Sequence, residues 1–413
     1  MAQFNITLSQ EELLSFLTGN FDEKIKLIHT SLLNAVLMAE STEQLKADSY
    51  ERTAERADYR NGTRTRNLTT KIGTIELAVP RHRDVPFKTM LFENYQRSDA
   101  ALVNTMAEMV VAGVSTRKVG RIMEELCGKN FSKSTVSEVS KKLDVEVNEF
   151  KNRRLDFCDY PFVMVDATYF KVHEDHRVVS KAMMIAIGFN PEGKKEVIAF
   201  DVYDNECNQT WFDFFESLKN KGLRAPLMIT SDAHPAIKRA IARTYPGTAW
   251  QRCQTHFKRN IIEDVPKKYQ TAFSNQLRDM FNCTTIKEAR AMKNAIAEEY
   301  EDVAERAVNT LEEGFEDSMT VMHFAQDTMR KVLRTSNSVE RLNRELKRRS
   351  DVIGIFPNKA SLLRLMGSVL IDEHEKLLSK NASLTATSIN AIHETVKLEL
   401  HKVAISQANS VAA

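Results

Sequence analysis

The sequence predicts an α/β fold: a mixed five-stranded sheet with flanking helices, interrupted by an all-helical segment and preceded by helical and β-hairpin modules. Three observations lead there. Phe162-Val163-Met164-Val165 is an apolar run of strand length that ends on one acid, Asp166, as a strand buried on both faces would. Two more strand-like stretches, Arg177–Phe189 and Lys195–Tyr203, follow it across the turn Asn190-Pro191-Glu192-Gly193. Residues 257–330 then read as helix-forming throughout, with almost no turn residues.

Bulk properties bound the possibilities. A chain of 413 residues holds two to four domains, at a prior of about 150 residues each. Hydrophobic content of 42% and charged content of 28% are ordinary for a globular protein. No apolar run approaches the roughly 18 residues of a membrane span, and the N-terminus lacks a signal-peptide core, so a cytoplasmic protein with no membrane partner is expected. Five scattered cysteines, Cys127, Cys158, Cys207, Cys253 and Cys283, suit a reducing compartment rather than a disulfide framework. The net charge of +2 says little, but its distribution says more. Residues 330–349 carry a net +6 and residues 298–317 a net −8, the segregation that a charged footprint on one face requires.

Taken in order, residues 1–58 read as a packing or dimerising helix pair. Ser9 and Glu12 form a capping-box pattern, Gly19 marks a stop, and Ile25, Ile28, Leu32 and Val36 follow a helical stripe. Residues 59–100 read as a small basic β-hairpin, with Asn61-Gly62 as a turn signal and alternation at Ile75, Leu77 and Val79. Its Arg60, Arg64, Arg66 and Arg81 suit phosphates, although a solvated charged surface would look the same. Residues 101–155 read as a helix-turn-helix. Ser115 or Thr116 starts the first helix, with Arg117 and Lys118 in its first turn, and Thr135 with Glu138 makes a capping box for the second. Lys133, Ser134 and Thr135 would then enter a major groove.

Residues 156–256 and 331–380 are assigned to one domain. After three antiparallel strands comes a helix from Asn208 bearing Trp211, Phe214, Phe215 and Leu218. Pro226–Thr230 forms the next strand, ending in Ser231-Asp232, and a short strand lies around Thr248–Arg252. This is the ribonuclease H-like order, in which the first and fourth strands are neighbours, so Asp166 and Asp232 fall side by side. Residues 257–330 form the all-helical insertion and 381–413 a C-terminal helix and tail, the last ten or so residues frayed.

Asp166 and Asp232 end apolar strands, where ligands of open α/β sheets commonly lie. Either could be an ordinary strand-end acid or, for Asp232, a helix cap. Glu340 is the third candidate. It lies in a basic helix with Arg341, Arg344, Lys347 and Arg348, and it also fits a capping box from Asn337 or an i+4 pair with Arg344. Lys347, two turns beyond Glu340, shares its face, so one helix offers a carboxylate and, about 10 Å further, a cation for a phosphate backbone. Cys253-Gln254-Thr255-His256 supplies only two ligands, too few for a structural zinc site.

These residues resemble the Mutator-type DDE transposases of bacterial insertion sequences. The likeness is carried by Val165-Asp166-Ala167-Thr168-Tyr169, Thr230-Ser231-Asp232-Ala233-His234, Trp250–Asn260 and Ser338-Val339-Glu340-Arg341-Leu342-Asn343-Arg344-Glu345. Tyr59-Arg60-Asn61-Gly62, Gly73–Leu77 and Gly113–Val119 also share it, over about residues 45–375. The chain departs near Glu375-Lys376-Leu377, where a tryptophan is expected, and in its C-terminal tail. The resemblance implies that Asp166, Asp232 and Glu340 are catalytic and that Cys253 and His256 form the family's C-x-x-H signature. It also implies double-stranded DNA as partner (terminal inverted repeats and target), in a homodimer at the bacterial nucleoid. Arg252 and His256 are then expected near the DNA. Two Mg2+ or Mn2+ ions per site suit hard oxygen ligands and phosphodiester chemistry. A catalytically silent DNA-binding regulator and a ribonuclease H-like nuclease are the competing readings.

Overall fold

The computed structural model describes residues 21–51, 53, 55–70, 73–89, 100–112, 114–127, 131–141 and 143–412. Ser9, Glu12, Gly19, Gly113 and the side chain of Lys133 therefore lie outside the description. The chain divides into two compact units, residues 1–142 and 143–413.

In the first unit a long helix α1 (Phe21–Leu45) lies on an antiparallel hairpin, β1 (Arg60–Thr70) and β2 (Gly73–His82). Leu37 packs with Leu68, Ile75, Leu77 and Val79, the alternate residues that the strand pleat turns to one face. The expected stripe is rotated: Ile28 and Leu32 are exposed, and Leu37, Ser41 and Leu45 are buried instead. The base of the hairpin is pinned by Asp58, whose carboxylate accepts from the amides of Tyr59, Asp84 and Val85. Three further helices, α2 (Ala100–Val111), α3 (Thr116–Cys127) and α4 (Lys133–Ser140), share a core of Val103, Met106, Val119, Met123, Phe131 and Val136. Ser115 caps α3 as expected, its Oγ accepting from the Lys118 amide at 3.4 Å. Helix α4 starts earlier than the sequence suggests. Ser132, not Thr135, is the cap, because its Oγ accepts from the Thr135 amide at 3.1 Å.

The second unit begins with α5 (Leu143–Asn152), which the sequence assigned to the helix-turn-helix segment. It belongs with the sheet instead: Asp144 accepts two bonds from Arg364, and Phe150 stacks on Phe200. The sheet holds β3 (Phe162–Glu174), β4 (Arg177–Phe189), β5 (Lys195–Tyr203), β6 (Met228–Ser231) and β7 (Ala249–Arg252), in the order β5-β4-β3-β6-β7. β3, β4 and β5 are antiparallel, while β6 and β7 run parallel to β3. That mixed five-stranded order is consistent with a ribonuclease H-like core. Helices α6 (Asn208–Asn220) and α7 (Pro235–Thr244) cover one face through Trp211, Phe214, Phe215, Ile237 and Ile241.

Between β7 and the basic helix the chain is helical, as expected. Helices α8 (Gln254–Glu263), α9 (Gln270–Phe281) and α10 (Ile286–Ser318, kinked at Ala304) have a hydrophobic cluster of their own around Phe257, Phe273, Leu277 and Phe315. A short α11 (Asp327–Leu333) leads into α12 (Asn337–Ser350), followed by α13 (Lys359–Ser379), α14 (Ala386–Asn390) and α15 (Glu394–Ala412). The tail expected to fray is helical as far as Ala412, and Ala404 and Gln407 in it are buried. No helix among the described residues is long and apolar enough to cross a membrane.

Candidate catalytic carboxylate site

Sheet register brings the first two acids together. Met164 on β3 pairs with Thr230 on β6. Two residues further along stand Asp166, within β3, and Asp232, just beyond the end of β6, on neighbouring strands that lie about 5 Å apart. Asp166 has few donors to answer its charge. Its Oδ1 accepts from the Ala167 amide at 2.9 Å and its Oδ2 from Asn343 Nδ2 at 2.8 Å. Burial, and then the nearby charge of Asp232, push its carboxyl up to about 7. Glu206, ahead of α6, is raised by the same two causes in the same order.

The chain leading into α12, the helix that carries Glu340, is tied to β6 and to the start of α8. Thr230 Oγ1 donates to the Leu333 carbonyl at 2.8 Å, the Gln254 amide to that of Arg334 at 2.9 Å, and Thr255 Oγ1 to Asn337 Oδ1 at 3.4 Å. Asn343, one turn beyond Glu340, then bonds Asp166 directly. Further along the helix the Lys347 ammonium donates to the Tyr169 carbonyl and lies 4.6 Å from the Phe170 ring centroid. Neither local alternative for Glu340 occurs. Ser336 is the N-cap, without a side-chain cap bond, and the partner of Glu340 is His256, at 3.6 Å from Nε2 to Oε1. Glu340 Oε1 is buried without a hydrogen-bond partner.

Cys253 and His256 complete the constellation. Because α8 begins at Gln254, Cys253 sits at its N-cap and His256 in its first turn, with the helix dipole favouring negative charge there. The hydrogen bond with Cys253 is the largest cause holding the His256 imidazole up at about 9, and Glu340 and Asp166 add to it. Burial disfavours the Cys253 thiolate, yet hydrogen bonds from His256 and Ser336 outweigh it and leave the thiol below its usual value. The imidazolium is thus the cation that faces Glu340 in this state.

The remaining candidates fall in different places. Arg64, Arg81, Arg117, Lys118, Ser134 and Thr135 are exposed in the first unit. Arg66 is partly buried, and Arg60 turns inward, its Nη2 donating to Thr42 on α1 at 2.8 Å. In the second unit Arg341 and Arg344 are exposed, with no ion-pair partner among the described residues. Arg348 is held by Glu345. Arg252 has its guanidinium half-buried over the Phe257 ring, 4.2 Å from the centroid, and against α10 at Gly314. Asn343 and Glu206 are site residues that the sequence reading does not single out. Asn343 lies at i+3 from Glu340 and so shares its face, a signal that was available. Glu206 lies in a loop and carries no such signal.

The carboxylates fit a divalent cation: Glu340 has an orphaned buried oxygen, and the Asp166–Asp232 repulsion would be relieved by positive charge. Comparison with known proteins shows the family of the chain. The family described as "Transposase, Mutator family" matches residues 1–379, further in both directions than the motifs alone suggest. The chain is 42% identical to the transposase for insertion sequence element IS256 in transposon Tn4001 of Staphylococcus aureus, over 91% of this chain and 97% of that one. It is 37% identical to the transposase for ISRM5 of Rhizobium meliloti, covering 94% and 96%, and 34% identical to that for IS1081 of Mycobacterium tuberculosis, covering 89% and 91%. The chain belongs to the Mutator family of transposases.

Proposed function

We propose that this transposase binds the terminal inverted repeats of an insertion sequence, hydrolyses a phosphodiester at the element end and joins the freed 3′-OH to another DNA strand, with Asp166, Asp232 and Glu340 as its catalytic carboxylates. The observation that carries the reading is the bond from Asn343 to Asp166, which fastens the Glu340 helix to the strand pair bearing the two aspartates. When bound, Mg2+ or Mn2+ held by these three acids supplies Lewis-acid charge at the scissile phosphate. The chain itself supplies the rest. Asn343 fixes the rotamer of Asp166, and the imidazolium of His256 keeps Glu340 turned inward. Arg341 and Arg344 offer guanidinium groups, unpaired among the described residues, to the phosphates beside the cut, with Lys347 anchored on β3 at Tyr169. A homodimer holding paired ends fits this scheme.

The test uses a plasmid bearing one end repeat, Mg2+, and the variants Asp166→Asn, Asp232→Asn and Glu340→Gln. Each should shift the repeat on a gel as the parent does and yield neither nicked nor joined product. Cleavage by Glu340→Gln at the parent's rate would overturn the assignment. Cleavage by the parent without joining would make it a nuclease, and binding without cleavage a silent regulator.

A further inference from the structure

Two ligands in the C-x-x-H segment are too few for a metal, but the fold adds a third. The ligand atoms of Cys253, His256 and Glu340 all lie within 4.8 Å of one another, although Glu340 is far away in the chain. Cys253 is 0% exposed, and the side chains of His256 and Glu340 are 21% and 25% exposed. The set holds one sulfur, one nitrogen and one oxygen. Such a mixture suits a borderline-soft ion of the zinc class and is unlike the all-oxygen set of the aspartate pair. In a tetrahedral zinc site, bonds of about 2.0–2.3 Å put ligand atoms roughly 3.3–3.8 Å apart. The His256–Glu340 separation of 3.6 Å is already in that range.

Two independent features support a site over a chance cluster. Glu340 Oε1 is buried with no hydrogen bond, only the His256 ring nitrogen 3.6 Å away, and a metal ion between the two would satisfy it. The thiol is also held in place from outside: the Ser336 amide donates to Cys253 Sγ at 3.4 Å, and the Cys253 amide to the Ser231 carbonyl at 2.7 Å. Supporting bonds of this kind orient a metal ligand. Three protein ligands would leave the fourth position open to water, as in three-ligand zinc sites.

We propose that Cys253, His256 and Glu340 form a binding site for a thiophilic divalent ion of the zinc class, and that filling it withdraws Glu340 from the two aspartates. The second half rests on the catalytic reading of Glu340, and the first does not. The device would make Zn2+ an inhibitor of a Mg2+-dependent enzyme, acting through a shared ligand and not through displacement at the aspartates.

Co2+ reports both halves. Titrated into the full chain without Mg2+, it should give a thiolate-to-cobalt charge-transfer band and tetrahedral-strength visible absorption at one equivalent, bleached by Zn2+. Cys253→Ser should lose the charge-transfer band, and His256→Gln should weaken binding by at least about tenfold, the smallest loss expected for a ligand. A quadruple Ser variant of Cys127, Cys158, Cys207 and Cys283 should keep the band, which guards against misfolding of Cys253→Ser. No charge-transfer band in the parent, or a band that survives Cys253→Ser, would overturn the site. In plasmid cleavage at saturating Mg2+, one equivalent of Zn2+ should slow the parent by about tenfold or more and Cys253→Ser far less. A band without inhibition would overturn the sharing of Glu340. Cleavage retained by Glu340→Gln would instead sink the catalytic reading and leave the cobalt spectrum to judge the site alone.

Discussion

Asp166 costs the ion-free protein stability, and the sign of that cost is testable. Its carboxyl titrates near 7 in the fold against 3.8 in the unfolded chain, because burial and Asp232 both oppose its charge. A carboxyl raised on folding destabilises above its unfolded value; the cost grows from about pH 4 to 7 and is then constant. Asp166→Asn removes the charge, so without divalent ions it should melt higher than the parent at pH 8, by roughly 5 °C. The gap should close as the pH falls toward 4, as differential scanning calorimetry would show. Equal melting at pH 8 would mean that neither burial nor Asp232 opposes the charge of Asp166. The strand-end aspartates were legible because a lone acid after an apolar run has few structural uses. The partner of Glu340 was not. Sequence spacing offers Arg344 at i+4, but an exposed pair of that kind contributes only a few tenths of a kcal/mol. The fold supplies His256 from another helix, in a less hydrated place where the same charge contact is worth more.

At the scale of elements, the helix starting at Asn208 appears where its aromatic spacing puts it, since four large side chains at helical intervals leave one buried face. The cap of α4 escapes the sequence because Ser132, Ser134 and Thr135 are all competent caps, and their hydroxyls bond one another. The C-terminal helix departs furthest from expectation. Among its described residues only Leu400, Ala404 and Gln407 are buried, too sparse a pattern to separate a docked helix from a frayed tail. Its docking rests on a side-chain amide. Gln407 Oε1 accepts from the Trp250 amide, while its Nε2 donates to the Trp250 carbonyl and to Asp317, so it acts as the missing neighbour of edge strand β7. This helix lies beyond the residues that match the family, yet it closes the sheet from which Cys253 emerges. Gln407→Ala leaves both buried backbone groups of Trp250 without that partner and should cost about 1–3 kcal/mol in denaturant unfolding, whereas Gln407→Glu should cost more because it brings a carboxylate to Asp317. An unchanged midpoint for both would show that α15 does not hold β7.

Across the whole molecule, charge counted along the chain overstates what is left for a partner. Of the eight bases in residues 330–349, several serve the fold. Arg330 donates to the Thr284 carbonyl, Arg334 to the Phe281 carbonyl and Asn282, Lys331 pairs with Asp327, and Arg348 and Arg349 share Glu345. Three of the nine acids in the acidic stretch are likewise paired within the second unit, Glu316 with Arg290, Glu312 with Lys293 and Asp317 with Lys238. Arg341 and Arg344 remain, exposed and beside the carboxylates, with Lys347 already engaged at Tyr169. The side chains of the basic stretch left without a partner among the described residues are therefore two guanidinium groups, where the phosphates would lie. Every phosphate deprived of its cation should lower the dependence of log K on log salt by about 0.9. Replacing Arg341 and Arg344 with Ala should accordingly flatten the salt slope for end DNA by roughly 2 without moving the melting temperature. Replacing Arg330 and Arg334 should do the reverse, lowering the melting temperature and leaving the slope alone, because those side chains spend their hydrogen bonds on carbonyls of the helical segment. A slope that falls equally in both double variants would mean that the basic helix binds DNA as a diffuse charge and that its ion pairs open on binding.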